Sequence, residues 1–155
     1  MLKTVKKFLG MRKCFLLTVP AYYPVWHSRY GEDTQLVTRL SRSRDAKIHA
    51  IKFNIGYWRD AACKFSTGKY DLLICYKGDD PEERKFYPLK HACYLHIQVG
   101  RFPIEGKDHI LIDGREVAVD KVARNEGYSV DDFLELRKHV GSREFCIVHF
   151  TEFRY

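Results

Sequence analysis

The segment 109–119, with the sequence HILIDGREVAV, places two short apolar runs on either side of Asp113-Gly114. Asp-Gly is a preferred two-residue connection between antiparallel strands, because both positions tolerate positive φ angles. The segment therefore predicts a β-hairpin. Two helices are predicted after it, the first ending at Gly127 and the second capped by the side chain of Ser129.

Further apolar runs, each bounded by polar or turn residues, predict strands at 14–19, 47–53, 70–76, 84–89, 91–102 and 145–150. Asp33 or Thr34 is predicted to cap a short helix after the aromatic loop 21–33, and Asp120 to cap the helix that ends at Gly127. Strands dominate at both ends of the chain and helices are inserted between them. This order predicts an α+β fold, a small β-barrel or strongly curved sheet with peripheral helices.

The chain has 155 residues, of which 45% are hydrophobic, and this is enough apolar material for one core. We therefore predict a single domain over 14–155, preceded by a basic tail or short helix over 1–13. No stretch reaches the ~20 apolar residues that a membrane span requires, so no membrane partner is predicted.

The five cysteines form no C-x-x-C pair, and their odd number indicates a reducing, cytoplasmic location. Three of them, Cys75, Cys93 and Cys146, lie in apolar runs and are predicted to be buried. The seven histidines show no metal-ligand spacing, and no glycine-rich phosphate loop is present. We predict no metal site and no cofactor.

The net charge of +7 favours contact with phosphates, although an excess of charge also serves solubility alone. The loop 21–33 mixes aromatic rings with cations, a composition that suits stacking on unpaired bases. The alternative is that two or three of these rings cover the core. The residues predicted to form a nucleic-acid rim are Arg29, Arg42, Arg44, Tyr22, Tyr23 and Trp26.

Three segments together carry a family resemblance: the lead-in 20–40 (PAYYPVWHSRYGEDTQLVTRL), the strand 47–52 (KIHAIK) and the final segment 148–155 (VHFTEFRY). Their order and spacing resemble the ASCH and ASCH-like domains of the PUA-like superfamily, of the phage and gut-bacterial type. The resemblance covers residues from about 14 to 155, nearly the whole chain.

This resemblance implies a PUA-like barrel whose cleft lies between the strand 47–52 and the helix that holds Asn125, Glu126 and Gly127. Members of the superfamily bind RNA or recognise modified bases in such a cleft. We therefore predict a nucleic-acid-binding module that recognises RNA or a modified nucleoside. The residues expected to bind the ligand are Lys47, Lys52, Tyr57, Trp58 and Glu126.

One branch of the superfamily, the bacterial acetylcytidine amidohydrolases, implies a second function. Its Lys and Glu correspond to Lys47 and Glu126, which are thereby candidate catalytic residues, or else an ion pair that joins strand to helix. The Thr and Arg of the branch are replaced by Ala50 and Lys52, which removes a hydroxyl and a bidentate cation. His49 alternates to the opposite side from Ala50 and does not replace the Thr. These departures favour binding over catalysis.

A third hypothesis is a phage or mobile-element accessory protein that binds a host protein. An exposed aromatic patch in a protein that binds neither nucleic acid nor nucleoside would favour it.

Overall fold

The hairpin predicted at 109–119 is present in a computed structural model of the chain. Strands β6 (His109–Ile112) and β7 (Arg115–Ala118) pair in antiparallel orientation. Asp113 and Gly114 between them have φ angles of 47° and 77°, as this two-residue turn requires. The structure describes residues 13–41, 47–77, 86–102, 108–139 and 144–155.

The hairpin lies at one edge of a five-stranded antiparallel sheet with the order β2-β8-β5-β6-β7. Its other strands are β2 (His49–Lys52), β5 (His96–Arg101) and β8 (Glu144–His149). Strand β8 lies between β2 and β5, and every residue after its first is buried. Burial on both faces explains why this strand is a nearly continuous apolar run rather than an alternating one.

A second, three-stranded sheet has the order β1-β3-β4. It contains β1 (Lys13–Pro20), β3 (Tyr70–Lys77) and β4 (Phe86–Ala92). Strands β1 and β3 are parallel, whereas β4 pairs with β3 in antiparallel orientation at the edge of the sheet. The register slips beside Pro88, which is tolerated there because an edge strand can lack one backbone donor.

The single long strand predicted at 91–102 is wrong. Strand β4 ends at Ala92 and β5 begins at His96, and the two belong to different sheets. The intervening residues carry the chain from one sheet to the other, so the apolar run does not mark one continuous strand. Cys93 lies in this connection and is exposed, whereas it was expected to be buried. Cys75 and Cys146 are buried, as predicted.

The described ranges also contain four helices, namely α1 (Leu36–Ser41), α2 (Ile55–Ser66), α3 (Val119–Glu126) and α4 (Val130–Lys138). Gly127 ends α3 in the left-handed conformation and the side chain of Ser129 caps α4, which confirms both predictions. The predicted cap at Asp120 is wrong by two residues, because Ala118 occupies that position and Asp120 lies in the first turn.

Helix α2 was not predicted. Asn54 caps it by accepting a hydrogen bond from the backbone N–H of Tyr57, and Trp58 and Ala61 are its buried residues. Tyr57 and Trp58 were expected to follow the strand as cleft-lining residues, whereas the cap at Asn54 makes the chain turn into a helix shortly after β2.

The fold is therefore mixed α+β, with mostly antiparallel sheet and a few helices. Within the described residues, the two edge strands of each sheet do not pair with each other, so both sheets are open and no closed barrel is formed there. One hydrophobic core draws side chains from both sheets, including Leu17 and Ile74 from the three-stranded sheet and Phe145 and Ile147 from the five-stranded sheet. Of the helices in the described ranges, none has the length and apolar character needed to cross a membrane.

Candidate functional site

The junction between the start of β2 and the end of α3 is built around Lys47 and Glu126. The Nζ atom of Lys47 lies 2.8 Å from Oε1 of Glu126 and donates to the backbone oxygen of the same residue at 2.9 Å. Because α3 ends at Gly127, that oxygen has no acceptor role within the helix, and the lysine satisfies it. A cation at the C-terminus of a helix is also favoured by the helix dipole.

Gly127 is required at this junction for two reasons. Its φ angle is 97°, and an added Cβ would meet the side chain of Leu36 at 2.6 Å. The backbone N–H of Ile48 donates to Asn125 at 3.0 Å, so the chain entering β2 lies directly against the end of α3. Local turn chemistry thus brings two charged residues together inside the protein.

The carboxylate of Glu126 has two further donors. His49 Nδ1 lies 2.8 Å from Oε2, and the backbone N–H of Ile51 donates to Oε1 at 3.2 Å. Lys47 is 1% exposed, His49 0% and Glu126 8%, so the whole group is withdrawn from water. A buried charge of this kind is tolerated only when it is paired and hydrogen-bonded.

The protonation of this group follows from its burial and its contacts. Burial tends to raise the pKa of Glu126, but the charge of Lys47 and the hydrogen bond from His49 outweigh it and lower that pKa to about 2. Burial lowers the pKa of Lys47 and that of His49, in each case against the attraction of Glu126. The carboxylate is ionised at neutral pH, and the imidazole is neutral.

A cavity of about 210 Å³ opens beside the Lys47–Glu126 pair. Lys47, Lys52 and Glu126 contribute charged groups to its lining, and Lys52 Nζ donates to the backbone oxygen of Thr18 at 2.5 Å. Five aromatic rings also line it, those of Trp26, Phe53, Phe102, Tyr128 and Phe133. The cavity thus combines one buried ionic group with extensive aromatic wall.

The structure brings together three of the five residues predicted to bind a ligand. Lys47, Lys52 and Glu126 line the cavity, between β2 and the end of α3, where a cleft was expected. Tyr57 and Trp58 do not line it. Trp58 is 5% exposed and belongs to the core, while Tyr57 is half-exposed on α2 and contacts Phe15 and Trp58 edge-on.

Ala50, which the resemblance aligned with the Thr of the amidohydrolases, lines the cavity and supplies no hydroxyl there. His49 does not line the cavity, in agreement with its predicted orientation away from Ala50, and its ring contacts the carboxylate of Glu126. Lys47 and Ile51 also line the cavity, although strict alternation along the strand would place both on the same side as His49.

The predicted rim divides into residues with different roles. Trp26 is 40% exposed, lines the cavity and stacks on His139 with ring centroids 4.2 Å apart. Tyr22 is 42% exposed, whereas Tyr23 is 3% exposed and donates its hydroxyl to Asp132. The prediction that Tyr23 presents its ring at the surface is therefore wrong, because the ring packs in the core.

Arg29 contributes to the internal structure of the loop 21–33. Its guanidinium contacts Asp132 at 2.9 Å and Glu32 at 2.7 Å, and lies 4.7 Å from the centre of the Tyr23 ring. These contacts hold the loop against α4. The other two predicted rim residues, Arg42 and Arg44, lie outside the described residues, as do most of the basic residues of the predicted tail 1–13.

Several cavity residues were not predicted from the sequence, namely Thr18, Phe102, Tyr128 and Arg137. They lie on β1, after β5, after α3 and on α4, and no local motif connects these four places. Tyr128 alone had a sequence signal, since it directly follows the helix-ending Gly127. Among the described residues, no group of three or more His, Cys, Asp or Glu side chains is arranged to hold a metal ion.

Comparisons with protein-family models, with curated proteins and with solved structures found no match to this chain. The cavity and its contacts therefore carry the functional argument.

Proposed function

We propose that this protein binds one unpaired base of RNA, or a modified nucleoside, in the cavity between β2 and the end of α3. The proposal includes a PUA-like arrangement of the two sheets around that cavity. The observation that carries it is the combination of a buried Lys47–Glu126 pair with aromatic walls in one small cavity.

The size of the cavity favours a small planar ligand. Pockets for drug-sized ligands measure roughly 300 to 1,000 Å³, and this cavity holds about 210 Å³. A single base fits this scale, and its faces can stack on aromatic rings, which contribute ~1 to 3 kcal/mol per base. The indole of Trp26 is the most accessible of these rings and is held in place by its stacking on His139.

The polar end of the cavity supports recognition of a base edge. Hydrogen bonds to Glu126 use two of the three N–H donors of Lys47, so one donor remains for a ligand. Oε2 of Glu126 accepts from His49 and retains a second lone pair. A donor beside an acceptor complements the hydrogen-bonding edge of a nucleobase.

The charges around the cavity support attachment to a phosphate backbone. Lys52 and Arg137 both line it, and the chain as a whole carries +7. Cations at this position attract phosphates in a salt-dependent way and carry no base preference of their own. The base would enter the cavity, while the backbone stays at its mouth.

The experiment is a titration of the protein with single nucleosides, including acetylated cytidine, and with single-stranded RNA at low and moderate salt. Trp26→Ala is expected to weaken binding roughly 5- to 150-fold, because it removes the accessible stacking face. Tyr30→Ala is the matched control, since Tyr30 lies in the same loop, is 62% exposed and does not line the cavity.

Equal binding by the two variants would place the ligand elsewhere and overturn the proposed site. Absence of binding by every nucleoside and RNA would overturn the function itself. The exposed side chains of Tyr22, Val25 and Tyr30 would then direct attention to a protein partner.

A second candidate function is hydrolysis of an acylated nucleoside. The observation that favours it is Lys47, a buried lysine of lowered pKa that lines the cavity 2.8 Å from a carboxylate. In this reaction Lys47 first releases a proton to solvent, which its burial favours, and the neutral amine then takes a proton from water while the water oxygen bonds to the acyl carbon. The C–N bond then breaks, the proton passes to the leaving nitrogen, and a carboxylic acid and a free amine are released.

The hydrolase is tested by incubating the protein with acetylcytidine and measuring released cytidine and acetate. Turnover that Lys47→Met abolishes would support the reaction. A complete lack of product at high protein concentration, with binding retained, would leave recognition as the function and exclude hydrolysis of this substrate.

A further inference from the structure

Tyr155 is the far end of a hydrogen-bonded chain that begins at the cavity. Its hydroxyl lies 2.6 Å from Nε2 of His49, whose Nδ1 lies 2.8 Å from Glu126, which in turn contacts Lys47. Asn125 donates from Nδ2 to the same hydroxyl at 2.9 Å. The chain thus passes from the surface segment after β8 to the ionic pair that lines the cavity.

The backbone of Tyr155 is held as firmly as its hydroxyl. Its N–H donates to Oε1 of Gln98 at 2.9 Å, and its ring packs against Phe153 with centroids 4.9 Å apart. The Gln98 side chain donates in turn to Asp113 in the β6–β7 turn at 3.0 Å. The hairpin and β5 therefore position the hydroxyl that meets His49.

The ionised carboxylate of Glu126 determines the direction of every hydrogen bond in this series, from Lys47 to Tyr155. Glu126 already pairs with Lys47 and can only accept, so Nδ1 of His49 must donate to it. A neutral imidazole has one donor and one acceptor, which makes Nε2 the acceptor. The Tyr155 hydroxyl therefore donates to Nε2, and its oxygen accepts from Asn125, in agreement with the amide donor found there.

We propose that Tyr155 is a positioning residue that holds the His49 ring against Glu126, which preserves the Nδ1–H tautomer that the carboxylate imposes and keeps the carboxylate in place for the cavity. Its hydroxyl occupies the only ring nitrogen at which His49 can accept a second proton. Burial raises the pKa of this hydroxyl, so the hydroxyl keeps the proton that it donates. The role of Tyr155 in ligand binding rests on the function proposed above, whereas its effect on the His49 tautomer does not.

The tautomer is measured by long-range ¹H–¹⁵N NMR of the imidazole rings at neutral pH, with His49 assigned by comparison with His49→Gln. The wild-type protein is expected to show His49 with a protonated Nδ1 and an unprotonated Nε2. Tyr155→Phe is expected to lose the single tautomer, because a ring without a donor at Nε2 can turn away from Glu126, and the carboxylate then no longer imposes Nδ1–H. A wild-type ring protonated at Nε2, or at both nitrogens, would overturn the proposal.

Asn125→Asp provides a second variant that does not remove the tyrosine. A carboxylate at this position accepts the Tyr155 proton in competition with Nε2, so the tautomer is again expected to change. Tyr94→Phe is the control, because it deletes a tyrosine hydroxyl whose hydrogen bond within the described residues is to Glu152 at the surface. An unchanged His49 signal in both Tyr155→Phe and Asn125→Asp would refute the positioning role.

Nucleoside affinity is measured on the same samples. Tyr155→Phe is expected to weaken binding roughly 2- to 10-fold, the effect of one lost hydrogen bond. If the tautomer changes as expected but no wild-type sample binds a nucleoside, the proposed function fails and the positioning of His49 stands. If nucleosides bind and Tyr155→Phe changes neither tautomer nor affinity, only the positioning fails.

Discussion

The Nζ atom of Lys47 lies 2.8 Å from Oε1 of Glu126, although 79 residues separate the two along the chain. Both residues are buried, and the lysine also satisfies the backbone oxygen at the end of α3. The contact therefore joins the five-stranded sheet to a helix, and both residues line the cavity. The pair has a structural role and lies in the proposed binding site, so substitutions in it must be tested for stability and for binding.

Replacing Lys47 with Met is expected to lower the free energy of unfolding by about 3 to 5 kcal/mol, because it leaves a buried carboxylate without its cation. Urea denaturation at neutral pH measures this loss. Lys47→Met/Glu126→Gln is expected to recover part of it, since the buried charge is removed and the single amide oxygen still accepts from either His49 or Ile51, which bond different oxygens of Glu126. A single variant within 0.5 kcal/mol of wild type, about the scale of an ordinary surface change, would contradict a structural role for the pair.

Asp132 is expected to control the order of the loop 21–33. Its carboxylate accepts from the Tyr23 hydroxyl and from Arg29, both at 2.9 Å. Asp132→Asn removes the charge that holds Arg29, so faster amide hydrogen exchange is expected across the loop. Asp131→Asn, an exposed change on the same helix, is the matched control. Identical exchange in the two variants would show that other contacts hold the loop.

His149 is expected to make stability depend on pH. It is fully buried, neither ring nitrogen has a hydrogen-bond partner in the described structure, and burial lowers its pKa from 6.5 to about 3. Between pH 6.5 and 3 the unfolded chain therefore binds more protons than the folded one, so the free energy of unfolding falls as pH falls. One such group contributes a slope of up to about 1.4 kcal/mol per pH unit.

His149→Leu is expected to reduce this slope and to leave stability at pH 7 unchanged or higher, because it removes two unpaired polar atoms. Thermal or urea unfolding between pH 4 and 7 measures both effects. The control is His109→Gln, a change at an exposed position of β6. A slope that His149→Leu leaves intact would assign the pH dependence to other groups, of which His49 is the nearest candidate since burial lowers its pKa too.

Gly100 on β5 is expected to tolerate no side chain. The ring of Phe145 on the neighbouring strand occupies the space that a Cβ atom would need. Gly100→Ala should therefore cost about 1 to 3 kcal/mol through overpacking, and Phe145→Leu should relieve part of that cost in the double variant. Gly56→Ala on α2, where nothing lies within 4 Å of the new Cβ, is expected to be neutral or to stabilise by up to about 1 kcal/mol. Equal effects of the two alanines would contradict the packing argument.

Much of the secondary structure could be predicted from the sequence because its signals are local. The hairpin at Asp113-Gly114, the helix end at Gly127 and the cap at Ser129 each depend on a few neighbouring residues with particular backbone preferences. The pairing of Lys47 with Glu126 was expected only through a family resemblance. Their contact is present, while the roles assigned to them stay predictions.

The predictions that were wrong concern features that depend on packing between residues far apart in the sequence. The apolar run 91–102 does not show that one end pairs with β3 and the other with β8, because a buried strand has the same composition in either sheet. Tyr57 and Trp58 were assigned to the cleft, but the orientation of α2 turns Trp58 into the core. An aromatic ring can stack on a nucleobase or pack against a neighbouring side chain, and both use the same ring faces. The sequence therefore does not show which contact is made, and only the fold decides it.

The sequence by itself determined the mixed α+β composition, the turns and most helix ends, because backbone preference and hydrophobic period act over a few residues. Only the tertiary structure decided which charges and rings line the cavity. The hydrogen-bonded chain from Lys47 through Glu126 and His49 to Tyr155 spans 108 positions between its first and last residue numbers, 47 and 155. No local sequence pattern encodes this series of hydrogen bonds, since burial and the geometry of distant elements create each of its contacts.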